Sequence, residues 1–321
     1  MRDVPGMDAR KLRYFVTVAQ LGSFSAAARS LHVAQPALSR HVKSLEDALG
    51  VTLLVREARG VTLTRDGEEL FTHGARALEQ LDLLPRVVGP RSRRVSGRVV
   101  IGLPTSASAV LALPLLEAAF RRHPQVRVHL IESLSGYLRE WIEAGRLDLA
   151  VVYDPQPNPA LRLDPILVED LWLVGAPGTL PPGTDTIAFR SLASYPLVLP
   201  GATHSHRRLV EGVALGRSVR LNLRAEVDSL TVQKGVAAAG SVFTVLPHGA
   251  IQADLADGRL EARRIVDPAV SRSVGLAAAV ARSDNPACNA MARLTLEVAR
   301  RLVAGGVWQG RTDAAAAGPR D

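Results

Sequence analysis

The chain has 321 residues, of which 47% are apolar and 22% charged. A typical domain holds ~150 residues, so two domains are expected, and the composition excludes both wholesale disorder and a multi-span membrane protein. Lys and Arg number 39 against 31 Asp and Glu, a net +8 that favours an anionic partner.

The excess is concentrated at the start. Residues 1–65 hold ten Lys/Arg against five Asp/Glu, whereas residues 98–321 hold 24 against 21. The dominance of Arg over Lys suits bidentate phosphate and guanine contacts, and it follows equally from coding-sequence composition. Cys288 is the single cysteine, which excludes an intrachain disulfide and a cysteine-rich zinc site and fits a reducing cytoplasm. Met1 to Met7 lacks the basic-then-apolar build of a secretory signal, so export is not expected. The uncharged runs Val99–Leu116 and Gly235–Ala253 carry Pro, Ser, Thr and His and read as buried strand and helix, not as membrane spans.

Asp8 caps a first helix carrying Leu12, Phe15, Val16 and Ala19 at helical spacing, and Gly22 ends it. Ser23 starts a second helix whose Ala26, Ala27 and Ala28 permit close packing. After a turn at His32 to Ala34, a third helix runs from about Gln35 to Leu49, with Pro36 where a missing N–H costs nothing. Leu38, Val42, Leu45 and Leu49 fall within about 60° on one face. Pro36, Arg40 and Lys43 point the other way, with Ser39 on the flank and Gln35 at the start. Glu46 and Asp47 would repel phosphate, so only the first turns can approach a duplex closely, which is how a helix-turn-helix reads the major groove. A small helical bundle with a solvated basic face is the alternative. Ser23 and Ser25 could contact phosphate or simply cap their helix. Leu53, Val55, Val61 and Leu63 alternate around Glu57 to Gly60, predicting a two-stranded wing with Arg56 and Arg59 outward.

Five ordered blocks carry a family likeness: Leu12–Phe15 (L-R-Y-F), Gly22–Ala28 (G-S-F-S-A-A-A), Gln35–Arg40 (Q-P-A-L-S-R), Leu45–Gly50 (L-E-D-A-L-G) and Leu63–Gly67 (L-T-R-D-G). They resemble the winged helix-turn-helix of LysR-type transcriptional regulators. The resemblance implies that Gln35, Pro36, Ser39 and Arg40 face bases and that Lys43, Arg56 and Thr64 support phosphate contacts. Ala34, where the family often has a hydroxyl cap, and Leu54, where Phe is common, depart from the pattern.

Thr64 caps a long helix from about Arg65 to Val88. Leu70, Gly74, Ala77, Leu81, Leu84 and Val88 repeat at spacings of four and three, an a/d seam that implies a homodimer; the alternative is a helix packed on its own domain. Gly89–Gly97 reads as a basic linker.

Beyond it, strand and helix alternate: Arg98–Leu103, helix Ala107–Arg122, Val126–Ile131, helix Leu134–Ala144 and Leu147–Val152. A second set runs through Tyr195–Leu199, a helix from about Ser205, Leu221–Ala225, helix Leu230–Ala239 and Val242–Leu246. This predicts two α/β lobes around a cleft. Leu163–Glu169 and Ala262–Val266 are expected to cross between lobes, and a last helix after Asn285-Pro286 returns to the first. Residues 305–321 are expected to fray. Residues 98–304 resemble the effector-binding domain of the same family, similar in fold to type 2 periplasmic binding proteins, through Gly102, Pro114–Leu116, His123-Pro124, Gly145–Asp148 and Thr244–Pro247. The blocks at Thr105-Ser106, His123–His129 and Leu199–His204 look closest to the nitrogen-assimilation-control branch.

The expected organisation is therefore a mainly α winged helix-turn-helix (7–65), a linker and dimerisation helix with hinge (66–97), a two-lobed α/β effector domain (98–304) and a tail. Ligands of such folds sit at strand C-termini, where helix N-termini aim N–H groups into the cleft. The candidates are Thr105, Ser106, Ser108, Ser133, Pro200, Gly201, Thr203, His204, His206 and Thr244, suited to a small carboxylate or polar anion, although Ser and Thr at helix starts are also ordinary caps. His204-x-His206 lacks the neighbours of a metal site. No phosphate loop, nucleophile elbow or zinc-hydrolase helix is present, so neither catalysis nor a cofactor is expected. The expectation is a cytoplasmic DNA-binding regulator with double-stranded DNA, its own copies (dimer or tetramer), RNA polymerase and a small effector as partners. A solute carrier built on residues 98–304 and an α/β enzyme with a helical appendage are the rival classes.

Overall fold

The computed structural model describes residues 8–57, 60–87 and 95–312. The chain divides into two compact units on either side of residue 94.

In the first unit, α1 (Ala9–Leu21), α2 (Phe24–Ser30) and α3 (Gln35–Leu49) enclose a core of Phe15, Val18, Ala27, Leu38 and Leu45. The capping residues act as the sequence predicts: Asp8 accepts from the Lys11 amide, Ser23 from that of Ala26, and Gly22 turns the chain at φ +60°. The wing pairs β1 (Leu54–Glu57) with β2 (Gly60–Leu63), antiparallel, with Arg56 opposite Val61. Its inward face is shifted by one residue from the expected alternation, because Leu54 is buried and Val55 is 45% exposed. Leu53 precedes the strand and fills the core, so the apolar positions there do not alternate as in a half-buried strand.

Helix α4 (Arg65–Val87) begins at Thr64, whose hydroxyl accepts from the Gly67 amide. The first half of its seam belongs to its own unit. Leu70 packs against the core, and a Cβ at Gly74 would stand 2.6 Å from Leu12 Cδ1. Further along, Ala77 is exposed and Leu81 is 44% exposed. The side chain of Leu84 lies outside the described residues.

The second unit contains β3 (Gly97–Pro104), α5 (Thr105–Arg122), β4 (Val126–Ser133), α6 (Ser135–Glu143), β5 (Leu149–Tyr153), β6 (Leu161–Gly175), β7 (Thr186–Ala188) and β8 (Pro196–Leu199). It continues with α7 (Ser205–Gly216), β9 (Asn222–Glu226), α8 (Leu230–Ala238), β10 (Thr244–Pro247), α9 (His248–Ala256), β11 (Glu261–Val266), β12 (Ser271–Ala279) and α10 (Pro286–Ala304). Parallel pairing of β3 with β4 and β5, and of β8 with β9, gives each lobe a βαβ core. The strand order is β4-β3-β5-β12-β6-β11-β7, with β10 also on β6.

Strand β6 joins the lobes: its first half pairs with β12 and its second half with β10 and β11. The return crossing is not made by Ala262–Val266. Those residues form β11, held in the second lobe between β6 and β7, and the chain returns through β12. The expected frayed tail is also corrected over residues 305–312. Trp308 is 1% exposed with its indole N–H 2.8 Å from Glu169 Oε2, and Arg311 exchanges two backbone hydrogen bonds with Val168. A large aromatic ring with a satisfied donor outweighs the small, polar residues around it. Residues 313–321 lie outside the described residues.

Candidate functional site

Two surfaces collect the residues singled out from the sequence. On the first unit, the apolar stripe of α3 is buried through Leu38, Val42 and Leu45, which turns Gln35, Pro36, Arg40 and Lys43 to solvent and leaves Ser39 half-buried. Two neighbours brace this face. Ser25 Oγ donates to Gln35 Oε1 at 3.2 Å, and Arg56 Nη2 donates to Ser39 Oγ at 2.6 Å while its guanidinium lies 4.7 Å from the centre of the Phe24 ring. Helix α2 and the wing thus orient the first turns of α3. Ala34 supplies no side-chain cap, so the amides of Gln35 and Ala37 at the exposed N-terminus keep their positive end toward solvent.

Other predicted contacts have structural duties. Ser23 caps α2, and Thr64 donates to the Thr52 carbonyl at 2.7 Å while capping α4. Glu46, expected only to repel phosphate, accepts the Leu53 amide at 2.8 Å and anchors the start of the wing. Lys43 stands 3.2 Å from Asp47 and remains exposed. Arg59 lies outside the described residues.

On the second unit, the cleft between lobes is narrow, with about 50 Å³ of space that a water-sized sphere can occupy, and is open to solvent. Four uncapped helices begin on it, α5 at Thr105 and Ser106, α6 at Ser135, α7 at Ser205 and α9 after Pro247, beside the capped start of α8 at Leu230. None of the four has a side-chain cap, whereas α1, α2, α8 and α10 are capped by Asp8, Ser23, Ser229 and Asn285. Amides at an uncapped start need an acceptor from outside the helix. Across the cleft, Ser135 Oγ and Ser205 Oγ are 2.7 Å apart, a direct hydrogen bond between the lobes.

Thr105, Ser106, Pro200, His204 and His206 line this space as predicted. Ser108 is buried on the inner face of α5, and Ser133 ends β4 two residues before the lining residue Ser135. Gly201 acts indirectly, its amide holding Asp228 Oδ1 at 2.9 Å. Thr203 is exposed away from the cleft, its carbonyl bound by Arg208. Thr244 is fully buried behind Gln233, to whose Oε1 it donates at 3.1 Å.

Sequence reasoning missed the cluster beneath Ser106. Arg272, 2% exposed, donates Nε to Glu169 Oε1 at 2.7 Å and Nη2 to Ser106 Oγ at 3.0 Å, with its guanidinium 3.6 Å from the centre of the Tyr153 ring. The Tyr153 hydroxyl and Ser106 share a 2.7 Å hydrogen bond. Residues so far apart in the chain carry no joint local signal; an Arg inside an apolar strand was the one available hint. His204 Nε2 stands 3.1 Å from Asp228 Oδ1 at an angle that makes no hydrogen bond. His206 Nε2 is 2.7 Å from the Val245 carbonyl. Burial takes His206 down to about 3, with the Arg272 and His204 charges adding to the effect and the Val245 carbonyl opposing it. Among the described residues no His/Cys/Asp/Glu group could hold a metal ion, and no helix is long and apolar enough to cross a membrane.

A winged helix-turn-helix with an exposed reading helix, joined in one chain to a two-lobed α/β domain with a polar cleft, defines a DNA-binding regulator of the ligand-responsive class. Residues 9–68 match the bacterial regulatory helix-turn-helix of the lysR family, and residues 92–300 match the LysR substrate binding domain. The chain belongs to the LysR family of transcriptional regulators, and it is not an enzyme. It is 33% identical over 296 residues to the nitrogen assimilation regulatory protein nac of Klebsiella aerogenes, covering 92% of this chain and 96% of that one. Among solved structures it resembles a full-length OxyR variant from Pseudomonas aeruginosa, with TM-score 0.74, 26% identity and coverage of 96% of this chain and 98% of that one. It shares its fold with full-length CbnR, solved in complex with its target DNA, with TM-score 0.65, 23% identity and coverage of 92% and 99%.

Proposed function

We propose that the protein is a cytoplasmic, homo-oligomeric regulator in which Gln35, Pro36, Ser39 and Arg40 read base edges. Lys43 and Arg56 add phosphate contacts, and the interlobe cleft binds a small anionic or polar effector. The observation that carries the effector reading is the convergence of four uncapped helix N-termini on one cleft, a ready site for a carboxylate. The DNA reading is supported by the bracing of Gln35 and Ser39 on an otherwise free helix face. Gln suits an adenine edge and Arg a guanine edge through paired hydrogen bonds.

Residues 66–97 serve as dimerisation helix and hinge. Exposed Ala77 and Leu81 support a helix–helix contact with a second copy, as do Leu113 and Phe120 on α5 and Leu215 on α7 for further self-association. Two copies present two reading helices to a pseudo-palindromic site. Effector binding shifts the lobes about the direct Ser135–Ser205 contact, changes how paired units sit on DNA and so alters contact with RNA polymerase.

The test is selection of bound genomic fragments by the full chain, followed by titration of small acids into the protein–DNA complex. Enrichment of sequences sharing a two-fold motif, with affinity or footprint altered by an acid, is the expected result. Enrichment without sequence preference refutes base reading.

A further inference from the structure

The polar groups of the cleft are of two opposed kinds. Arg272 lines it as a buried cation whose Nε and Nη2 are engaged by Glu169 and Ser106. Nη1 has no hydrogen-bond partner among the described residues, and an unpaired N–H in such surroundings gains from an anionic oxygen. Together with the amides at the starts of α5, α6, α7 and α9, it supplies the cleft with donors from both lobes.

His206 is the reverse. A carbonyl oxygen can only accept, so the 2.7 Å contact with Val245 requires the ring proton to sit on Nε2. Nδ1 is then a bare acceptor, and it too has no partner among the described residues. Because burial takes the ring down to about 3, it stays neutral throughout the physiological range and never converts Nδ1 into a donor. Asp228, on the rim beside His204, adds carboxylate oxygens of the same accepting character. A ligand presenting only carboxylate oxygens would satisfy Arg272 and the amides but would set lone pairs against His206 and Asp228. Such a mismatch sets acceptor against acceptor and gives the Nδ1 lone pair no donor.

Building on the cleft as effector site, we infer that the ligand is a small carboxylate bearing a hydrogen-bond donor, a hydroxyl or an amine, which His206 Nδ1 accepts while Arg272 and the helix starts take the carboxylate. The pairing of an unpartnered guanidinium nitrogen with an unpartnered imidazole acceptor in one space sets this requirement. His206 selects the ligand, and the Val245 carbonyl fixes the tautomer that lets it do so.

The experiment uses acids matched in all but one hydroxyl: lactate against propionate, malate against succinate, and 3-phenyllactate against 3-phenylpropionate. Each is titrated calorimetrically into the full chain, with thermal unfolding as a second readout. At least one hydroxy acid is expected to bind ten-fold or more tightly than its partner. The ratio should collapse toward one in His206→Leu and persist in part in His206→Gln, which keeps an acceptor; both variants are checked for a cooperative unfolding transition above the titration temperature. Equal binding within every pair overturns the donor requirement while leaving the cleft as an anion site. A ratio unchanged in His206→Leu overturns the role of His206. Absence of binding by all six acids overturns the cleft reading, and this inference with it.

Discussion

Replacing Glu169 by glutamine keeps the shape of the side chain and removes its charge, leaving Arg272 a buried cation without its counter-ion. Both residues are only 2% exposed, the ions approach to 2.6 Å, and the second carboxylate oxygen accepts the Trp308 indole N–H. Breaking one side of such a pair costs about 3–5 kcal/mol, because the surviving charge stays desolvated, while replacing both partners by apolar residues is close to neutral. Glu169→Gln is therefore expected to destabilise the second unit by about 3–5 kcal/mol. The double variant Glu169→Leu, Arg272→Met should recover most of that loss. Urea unfolding followed by tryptophan fluorescence isolates this unit, since Trp141, Trp172 and Trp308 all lie in it. A loss below about 1 kcal/mol for the single variant, or a double variant no more stable than the single one, refutes the counter-ion argument.

Three further predictions follow from other parts of the molecule. The His206 ring is held neutral, its folded value about 3 lying below the ordinary 6.5, so the unfolded chain takes up a proton first as pH falls. Stability of the second unit should therefore drop from pH 6.5 downward by ~1.4 kcal/mol per pH unit, until about pH 3. His206→Leu should flatten this slope between pH 6 and 5, and an unchanged slope contradicts the assignment. A Cβ at position 67 would stand 2.1 Å from the Leu53 backbone oxygen, so Gly67→Ala should destabilise the first unit by about 1–3 kcal/mol in calorimetry, and a neutral effect would be inconsistent with that packing. Leu81→Asp places charge on the exposed stretch of α4 and should dissociate the oligomer in sedimentation; an unaltered sedimentation coefficient removes Leu81 from the interface.

The amphipathic elements were the readable part. The α3 stripe, the caps at Asp8, Ser23 and Asn285 and the alternation of strand and helix over residues 98–152 are local patterns, and the local physics of helix period and capping settles them. Strand β12 was missed because six of the nine residues of Ser271–Ala279 are Ser, Gly or Ala, whose weak strand preference is overridden by burial between β5 and β6. The seam of α4 was half legible: a spacing of four and three marks an apolar stripe but does not say whether its partner is a second copy or Leu12 of the same unit. At the cleft, hydroxyls near helix starts were found, yet Thr244 and Ser108 turned inward because position in sequence does not give facing. The Tyr153–Arg272–Glu169 cluster joins Arg272 to Glu169, 103 positions away, and to Tyr153, farther still, and such contacts exist only once β5, β12 and β6 are side by side.

Base discrimination by the first turns of α3 underlies the regulator reading, and competition binding of Arg40→Ala measures it. A genomic fragment selected by the wild-type chain and a scrambled duplex of equal length are compared at one fixed salt concentration. The wild-type protein should prefer the selected fragment, and Arg40→Ala should lose about 1–3 kcal/mol of that preference, with much less change on the scrambled duplex. Equal wild-type affinity for both duplexes, or discrimination retained in full by Arg40→Ala, contradicts it.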